Sequence, residues 1–284
     1  MSSPDGVLLL GAVAYDPKVV SIWEGFRRWF AEHDLPFDFV LYSNYERQVE
    51  DLLAGRTHVA WNSPLAWVRA RRLASAGGVD VRAVAMRDTD RDLTSVVVVR
   101  SDGPIRSAQE LDGRIVGTGA IDSPQASLLP IAHLRALGVD VEVRRFDVGV
   151  GLHGDHVGGE RDAARALLAG DVDAACLIDG NHLAFAREGS LPAGSTRVVA
   201  QTEPFDHCNM TVVASAPTDL VDRFTQLLLG MDYGDAGVRP LLDLEGLKQW
   251  QPGRLSGYRQ LERAVDELGF YDAQGVVTAA GYRP

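Results

Sequence analysis

The sequence has few of the features that mark several protein classes. Only two of its 284 residues are cysteines, Cys176 and Cys208, and they form no Cys-x-x-Cys motif. Their spacing does not require a disulfide, and a reducing compartment fits at least as well as an oxidising one. The sequence also contains no P-loop, nucleophile elbow or dinucleotide fingerprint, so it offers none of the common motifs for nucleotide binding or ester hydrolysis.

Positive charge is scarce as well. The chain has 28 Lys and Arg against 39 Asp and Glu, which gives a formal net charge of -11. This balance argues against a nucleic-acid partner and against an anionic membrane surface. No apolar run is long enough to span a bilayer, so we expect no membrane insertion. The first residues lead directly into an apolar stretch, without a basic region or a lipobox cysteine. A cytoplasmic protein is therefore predicted, or an extracytoplasmic one if a signal has been removed.

The residues that are present predict a soluble α/β protein. Hydrophobic residues make up 46% of the chain, and short apolar runs alternate with segments of helical periodicity. This alternation predicts largely parallel sheets covered by helices. Residues 17–33 carry an aromatic stripe at helical spacing, which we interpret as core. Residues 241–269 are predicted to be helical, with a break at Pro252-Gly253.

One stretch, residues 114–134, combines a strand, a turn and a helix start. Ile115 and Val116 predict the strand, small residues follow it, and Asp122 or Ser123 can cap the helix. The N–H groups and dipole at such a helix start favour an anionic or acceptor-rich ligand. An ordinary strand-to-helix connection is the simpler interpretation, and from this stretch alone we favour it.

The order of several segments resembles the phosphonate-binding branch of type II periplasmic solute-binding proteins. The segments that carry the resemblance are Tyr15 between a strand and a helix, Tyr-Ser-Asn-Tyr45, Thr-His-Val-Ala-Trp-Asn-Ser-Pro64, Val-Val-Val-Arg100-Ser-Asp, Ile-Arg-Ser-Ala-Gln-Glu-Leu-Asp-Gly113, Gly154-Asp155-His156 and Leu-Leu-Ala-Gly-Asp-Val-Asp-Ala-Ala175. The resemblance implies two α/β lobes joined by two hinge strands, with the ligand between them. Lobe 1 would comprise residues 1–92 and 207–284, and lobe 2 residues 93–206, with hinges near 87–95 and 202–210.

The resemblance and the loops that follow the predicted strands together suggest a set of ligand-binding residues. These are Tyr15, Tyr45, Asn62, Ser63, Thr118, Ser123, Gln125, Ser127, His156, Asp179 and Asp206. Asp179 or Asp206 could face a ligand amine. In place of the family's run of Ser and Thr, the chain has Ala120-Ile-Asp-Ser123, and a carboxylate at Asp122 would repel a phosphonate dianion if it faced the site.

Two clusters could carry chemistry. His153 and His156 flank Asp155, and a metal site would need a further ligand such as His207. We favour a capping aspartate and one ligand-contacting histidine. No cofactor is predicted, and a divalent metal is the alternative.

The second cluster is Asp206-His207-Cys208-Asn209, at the predicted return to lobe 1. Neighbouring strand residues face opposite sides, so His207 and Cys208 are not expected to touch. We favour a hinge with one polar ligand contact and one buried thiol. Asp16, Glu46 and Arg47 are interpreted as solvated or helix-capping residues.

Two functions follow from these observations. The first is a cytoplasmic protein that closes two lobes on a small polar or anionic, phosphonate- or phosphate-like molecule. An ABC transporter permease would be its partner only if a signal has been removed. The second is a cytoplasmic enzyme on the same fold, related to the pyrimidine synthase of thiamin biosynthesis or to menaquinone-pathway enzymes. Its candidate catalytic residues are His156, His207, Cys208 and Asp122, but the cysteine-rich motif of the thiamin enzyme is missing.

Overall fold

The computed structural model describes residues 6–147 and 156–284, which form two β-sheets covered by helices. The strands are β1 Leu8–Val13, β2 Phe37–Tyr42, β3 Val59–Asn62, β4 Val81–Arg87, β5 Ser95–Arg100, β6 Ile115–Thr118, β7 Glu142–Arg145, β8 Ala174–Ile178, β9 Thr196–Gln201, β10 Asn209–Val213 and β11 Trp250–Pro252. The helices are α1 Lys18–Glu32, α2 Tyr45–Leu53, α3 Pro64–Gly77, α4 Leu129–Ala136, α5 His156–Ala169, α6 Asp179–Glu188, α7 Thr218–Leu229, α8 Arg239–Glu245 and α9 Arg259–Leu268. None of these helices combines the length and the apolar character needed to cross a bilayer.

Both sheets are mixed rather than largely parallel. The first sheet has the order β11-β4-β10-β3-β1-β2, and the second has the order β7-β6-β8-β5-β9. Strands β1, β2 and β3 run parallel, as do β6, β7 and β8. Strand β10 is antiparallel to both of its neighbours, and so is β5. The chain passes between the sheets immediately before each of these two strands. Each of the two strands therefore runs opposite to the parallel strands of the sheet that it enters.

The aromatic stripe of α1 packs into the core of the first sheet, as predicted. Trp23, Phe26 and Phe30 are each at most 1% exposed. Phe30 contacts Phe37 of β2 and Phe224 of α7, with ring centroids 4.8 and 5.3 Å apart. The spacing of apolar residues on α1 therefore matches the side that it buries.

The prediction for residues 241–269 was wrong in its middle part. Trp250–Pro252 forms the edge strand β11, which pairs with β4 and separates α8 from α9. Pro252 is tolerated there because it lies at the end of an edge strand. Gly253 follows, and a Cβ at this position would lie 2.3 Å from the carbonyl oxygen of Ala83. Only glycine fits so close to the neighbouring backbone.

Helix α9 and the residues after it join elements that belong to different sheets. An apolar cluster contains Leu65 and Val68 of α3, Leu129 of α4, and Leu261 and Phe270 from the C-terminal region, and each of them is at most 4% exposed. The C-terminal region thus packs across the two halves of the molecule, next to the cavity described below.

Candidate ligand-binding site

A cavity of about 370 Å³ lies between the two halves of the molecule. Its walls come from the turns after β1, β2 and β3, from the segment between β6 and α4, from residues 207–208 and from the C-terminal region. The described residues that line it are Tyr15, Asp16, Lys18, Tyr45, Glu46, Trp61, Ser63, Pro64, Leu65, Ala66, Arg87, Asp122, Pro124, Gln125, Val157, His207, Cys208, Tyr271 and Tyr282. Ligand sites of open α/β sheets lie at such carboxyl ends of strands.

Four of the predicted ligand-binding residues line this cavity. They are Tyr15, Tyr45, Ser63 and Gln125. The candidate catalytic residues Asp122, His207 and Cys208 line it too. His153 lies outside the described residues, and so does the side chain of His156. That any of these residues contacts a ligand stays a prediction.

Asn62 and Ser63 have structural partners near the cavity. Asn62 is fully buried, where it accepts a hydrogen bond from Gln48 Nε2 at 2.8 Å and donates one to Thr211 Oγ1 at 2.8 Å. These bonds tie α2, β3 and β10 together. Ser63 caps α3, because its Oγ accepts a hydrogen bond from the Ala66 N–H at 3.2 Å.

The segment between β6 and α4 ends with a short π-type turn, Pro124–Leu128. Ser123 caps this turn, since its Oγ accepts from the Ala126 N–H at 3.2 Å and its carbonyl accepts from the Ser127 N–H. Thr118 donates to the Gly119 carbonyl at 3.2 Å. Thr118, Ser123 and Ser127 are buried and do not line the cavity. The hydroxyl groups expected to cradle an anion therefore lie outside its wall.

The two aspartates expected near a ligand amine also lie outside the lining. Asp179 accepts a hydrogen bond from Thr94 Oγ1 at 2.8 Å. Asp206 is 1% exposed and accepts from Arg254 Nε and Nη2 at 2.7 and 2.6 Å. Its carboxylate packs on Gly257, where a Cβ would lie 2.1 Å from Asp206 Cγ. Asp206 thus anchors the segment before α9 rather than facing the cavity.

His207 and Cys208 do touch, so the prediction that they face opposite sides was wrong. His207 Nδ1 lies 3.1 Å from Cys208 Sγ. Strand β10 begins only at Asn209, so the alternation of side chains in a strand does not apply to the two preceding residues. Burial raises the pKa of the Cys208 thiol well above its ordinary value, and the Asp90 charge adds to this rise. The thiol is therefore protonated at neutral pH.

Asp90, His207 and Cys208 also form a group of potential metal ligands, with their ligand atoms within 4.8 Å of one another. Arg87 engages both oxygens of Asp90, at 2.6 and 2.9 Å. A divalent cation would have to compete with this guanidinium group, so the donor set fits a metal poorly. A divalent metal stays the alternative to the prediction that no cofactor is bound.

Five residues on one side of the cavity form a tyrosine–carboxylate cluster: Tyr45, Glu46, Asp122, Tyr271 and Tyr282. Glu46 Oε1 accepts hydrogen bonds from the hydroxyls of Tyr271 at 3.1 Å and Tyr282 at 2.9 Å. Burial raises the pKa of both tyrosines, and the charges of Glu46 and Asp122 raise it further. Both phenols therefore stay neutral and act as donors.

Sequence reasoning missed most of this cluster. Glu46 was interpreted as solvated or capping, but it is 5% exposed. Tyr271 and Tyr282 follow the last predicted helix, so no predicted element places them at the site. A signal was available in the two tyrosines of a tail rich in glycine and small residues, where isolated aromatic rings indicate packing against the rest of the fold.

Comparisons with known proteins place this geometry in a family. The family model described as "ABC transporter, phosphonate, periplasmic substrate-binding protein" matches residues 12–258. The comparison with curated proteins gave no match. Among solved structures, PhnD1 from Prochlorococcus marinus (MIT 9301) in complex with methylphosphonate is similar, with a TM-score of 0.67 and 17% identity over 93% of this chain and 98% of that chain.

Two further solved structures show the same fold. XAC2383 from Xanthomonas citri, solved with ATP, has a TM-score of 0.69 and 17% identity over 93% of this chain and 98% of that one. The periplasmic aliphatic sulphonate binding protein SsuA from Escherichia coli has a TM-score of 0.57 and 16% identity, over 99% of this chain and 93% of that one. The predicted two-lobed α/β fold of periplasmic binding proteins is confirmed. The chain belongs to the phosphonate family of periplasmic substrate-binding proteins of ABC transporters.

Proposed function

We propose that this protein binds one small polar molecule in the 370 Å³ cavity, between two lobes that close on it. The observation that carries the proposal is the composition of the cavity wall. Tyr15, Tyr45 and Ser63 follow strands of the first sheet, whereas Asp122 and Gln125 belong to the segment between β6 and α4 of the second. A site shared in this way binds its ligand best when the two halves are together, which couples binding to closure.

The proposed lobes are those expected from the sequence, with hinges near residues 87–95 and 202–210. Leu93 and Phe205 support this division, because each donates a backbone hydrogen bond to the other, at 2.9 and 2.8 Å. The two connections between the sheets are therefore hydrogen-bonded to each other at Leu93 and Phe205. A short paired segment of this kind can act as a hinge between two more rigid bodies.

The first experiment is the recovery of a ligand from the purified protein. After denaturation, mass spectrometry of the supernatant should find one small molecule at near-stoichiometric amount, and adding it back should raise the thermal midpoint. Tyr15→Ala should reduce retention about tenfold through the loss of a ring at the cavity wall. Tyr233→Ala, the same change outside the lining, should not. Small-angle scattering should show a smaller radius of gyration with the ligand, and an unchanged radius would contradict closure.

An enzyme on the same fold is the second candidate. It is favoured by the contact of His207 with Cys208 at the cavity wall, where an imidazole and a thiol would meet a bound molecule. His207→Ala would then keep binding and lose turnover, and the recovered compound would change mass when incubated with fresh protein. Metal analysis of the same sample tests the alternative with a divalent cation. A compound that returns unchanged from protein with and without added metal supports the binding protein.

The compartment and the transporter partner stay predictions. The expectation from the sequence is a cytoplasmic protein, whereas the matched family is described as periplasmic. Cell fractionation of the native organism distinguishes the two. Copurification with an ABC transporter permease would support the periplasmic role.

A further inference from the structure

Aromatic side chains are prominent in the cavity wall. Among the described lining residues they come from the turn after β1, from the start of α2, from β3 and from the C-terminal region. They are Tyr15, Tyr45, Trp61, Tyr271 and Tyr282. Aromatic rings offer flat apolar surfaces and pack favourably on other rings. The wall therefore suits a ligand with a flat apolar part.

Two apolar side chains stay exposed at the cavity, one in each half of the molecule. Tyr15 follows β1 of the first sheet and is 38% exposed. Val157 lies in the first turn of α5, which packs on the second sheet, and it is 39% exposed. Exposed apolar side chains that share one cavity are typical of a site that a ligand covers. An apolar group in this cavity would shield both side chains from water.

Trp61 is held in place from behind the cavity wall. Its ring meets Trp250 edge to face, with the ring centroids 5.8 Å apart. The guanidinium of Arg87 lies 5.2 Å from the centroid of the Trp61 ring. A ring fixed by such contacts keeps its orientation before a ligand arrives, which lowers the entropic cost of binding.

The C-terminal region adds two rings that are fixed in a similar way. Tyr271 and Tyr282 lie beyond residue 258, where the match to the family model ends. Phe270 packs on both rings, with centroid distances of 4.8 and 5.0 Å. Both hydroxyls donate to Glu46 Oε1. Because these hydroxyl hydrogens are already used, the two residues contribute their rings to the wall rather than hydrogen-bond donors.

The cavity has room for a ring and for a further group. Its volume is about 370 Å³, whereas an engineered cavity of about 150 Å³ is large enough to bind benzene. Pockets of about 300–1,000 Å³ are typical of sites for drug-sized organic molecules. A molecule as small as methylphosphonate has no flat group that could cover the aromatic wall.

We propose that the ligand is an organic molecule with a flat aromatic or heteroaromatic ring, which packs against Tyr15, Tyr45 and Trp61. A polar substituent of the ring would occupy the rest of the cavity. This proposal rests on the cavity being the ligand site proposed above. It concerns the ring alone, so the probes that test it carry polar groups of both signs.

Pairs of probes that share a polar group and differ in the ring test the proposal by isothermal titration. One pair is phenylphosphonate and methylphosphonate, and the other is benzylamine and methylamine. In a pair that binds, we expect the member with the ring to bind about tenfold to a hundredfold more tightly, as burial of a phenyl group requires. Cyclohexylphosphonate and cyclohexylmethylamine have a similar apolar size but are not flat, and they should bind about threefold more weakly than their phenyl counterparts.

Tyr15 offers a matched pair of variants. Tyr15→Leu removes the ring and keeps an apolar side chain, whereas Tyr15→Phe keeps the ring. We expect Tyr15→Leu to lower the ratio of the two affinities within a pair about threefold to tenfold, and Tyr15→Phe to retain that ratio. Tyr45→Leu tests a second ring, and Tyr233→Leu makes the same change outside the described lining. Circular dichroism confirms the folding of each variant.

The outcomes separate this proposal from the proposed function. If the member without the ring binds as tightly as its partner, if the cyclohexyl compounds bind more tightly than the phenyl compounds, or if Tyr15→Leu and Tyr45→Leu both keep the full ratio, the ring proposal is overturned and the cavity remains a ligand site. A molecule without a ring, released from denatured protein, overturns it too, whereas a released molecule with a flat ring supports it. If no probe binds at millimolar concentration and nothing is released, the binding function itself is overturned.

Discussion

A buried charge cluster behind the cavity predicts how stability depends on pH. Arg87 bonds to both oxygens of Asp90 and, at a longer 3.3 Å, to Glu245. Asp90 is 1% exposed and Glu245 is 5% exposed. One guanidinium cannot neutralise two buried carboxylates, so the carboxylate with the weaker bond is the one that takes up a proton.

The pKa values of the two carboxyls follow this division. Burial raises the pKa of Glu245 to about 7; Arg87 opposes this rise, and the Asp90 charge adds to it. Burial would also raise the pKa of Asp90, but the charge and hydrogen bonds of Arg87 hold it well below its usual range. Between pH 4.5 and about 7 the folded protein keeps the Glu245 proton, whereas the unfolded chain releases it. Stability from this group is therefore full below pH 4.5 and is lost as the pH rises to about 7.

Glu245→Gln removes the titration and keeps the shape of the side chain. At about 1.4 kcal/mol per pKa unit, ionising Glu245 in the folded state costs at most about 3 kcal/mol. We expect the variant to match the wild-type protein at about pH 4 and to be about 1–3 kcal/mol more stable at about pH 8. Urea unfolding at one-unit steps between these two pH values, followed by tryptophan fluorescence, measures the difference.

Glu24→Gln on the exposed face of α1 is the matched control. Its free energy of unfolding should depend on pH in the same way as that of the wild-type protein. If the free energy of Glu245→Gln also followed the wild type across this range, the claim that Glu245 is the buried carboxyl that takes up the proton would be refuted. A variant less stable than the wild type at pH 8 would show that the bond to Arg87 outweighs burial.

Two further substitutions test the anchoring of the C-terminal region. Asp206→Asn should cost about 3 kcal/mol in urea unfolding by leaving Arg254 without its buried partner. It should also leave the affinity for the recovered ligand unchanged, and a large loss of affinity would place Asp206 in the ligand site after all. Phe270→Ala should cost about 3–5 kcal/mol, because its 1% exposed ring packs with Tyr271 and Tyr282 in the cluster that joins α3 and α4. A cost below about 1 kcal/mol would mean that the C-terminal region contributes little to the apolar cluster that joins α3 and α4.

Local features of the fold could be predicted from the residues alone. The aromatic stripe of α1 is found at the predicted position, because periodicity reflects which side an element buries. Ser123 caps the turn before α4 by accepting from the Ala126 N–H at 3.2 Å, and it is one of the two caps expected there. Such contacts involve residues a few positions apart, so the residue type largely decides them.

Strand direction in the antiparallel halves of the sheets could not be predicted in this way. Strand β10 lies between β3 and β4, and Thr211 pairs there with Ala60, a residue far away in the sequence. Neither the composition nor the periodicity of β10 predicts which strands it pairs with. The contact of His207 with Cys208 was missed for a related reason, since it depends on the residue at which β10 begins.

The sequence by itself therefore determined the α/β alternation, the cap at Ser123 and the family resemblance. The tertiary structure decided what lines the cavity. Glu46 meets Tyr271 and Tyr282 across 225 and 236 residues of chain, and Arg87 meets Glu245 across 158. Burial and charge at such sites arise from packing between distant segments, and no local pattern encodes the sum of those contacts.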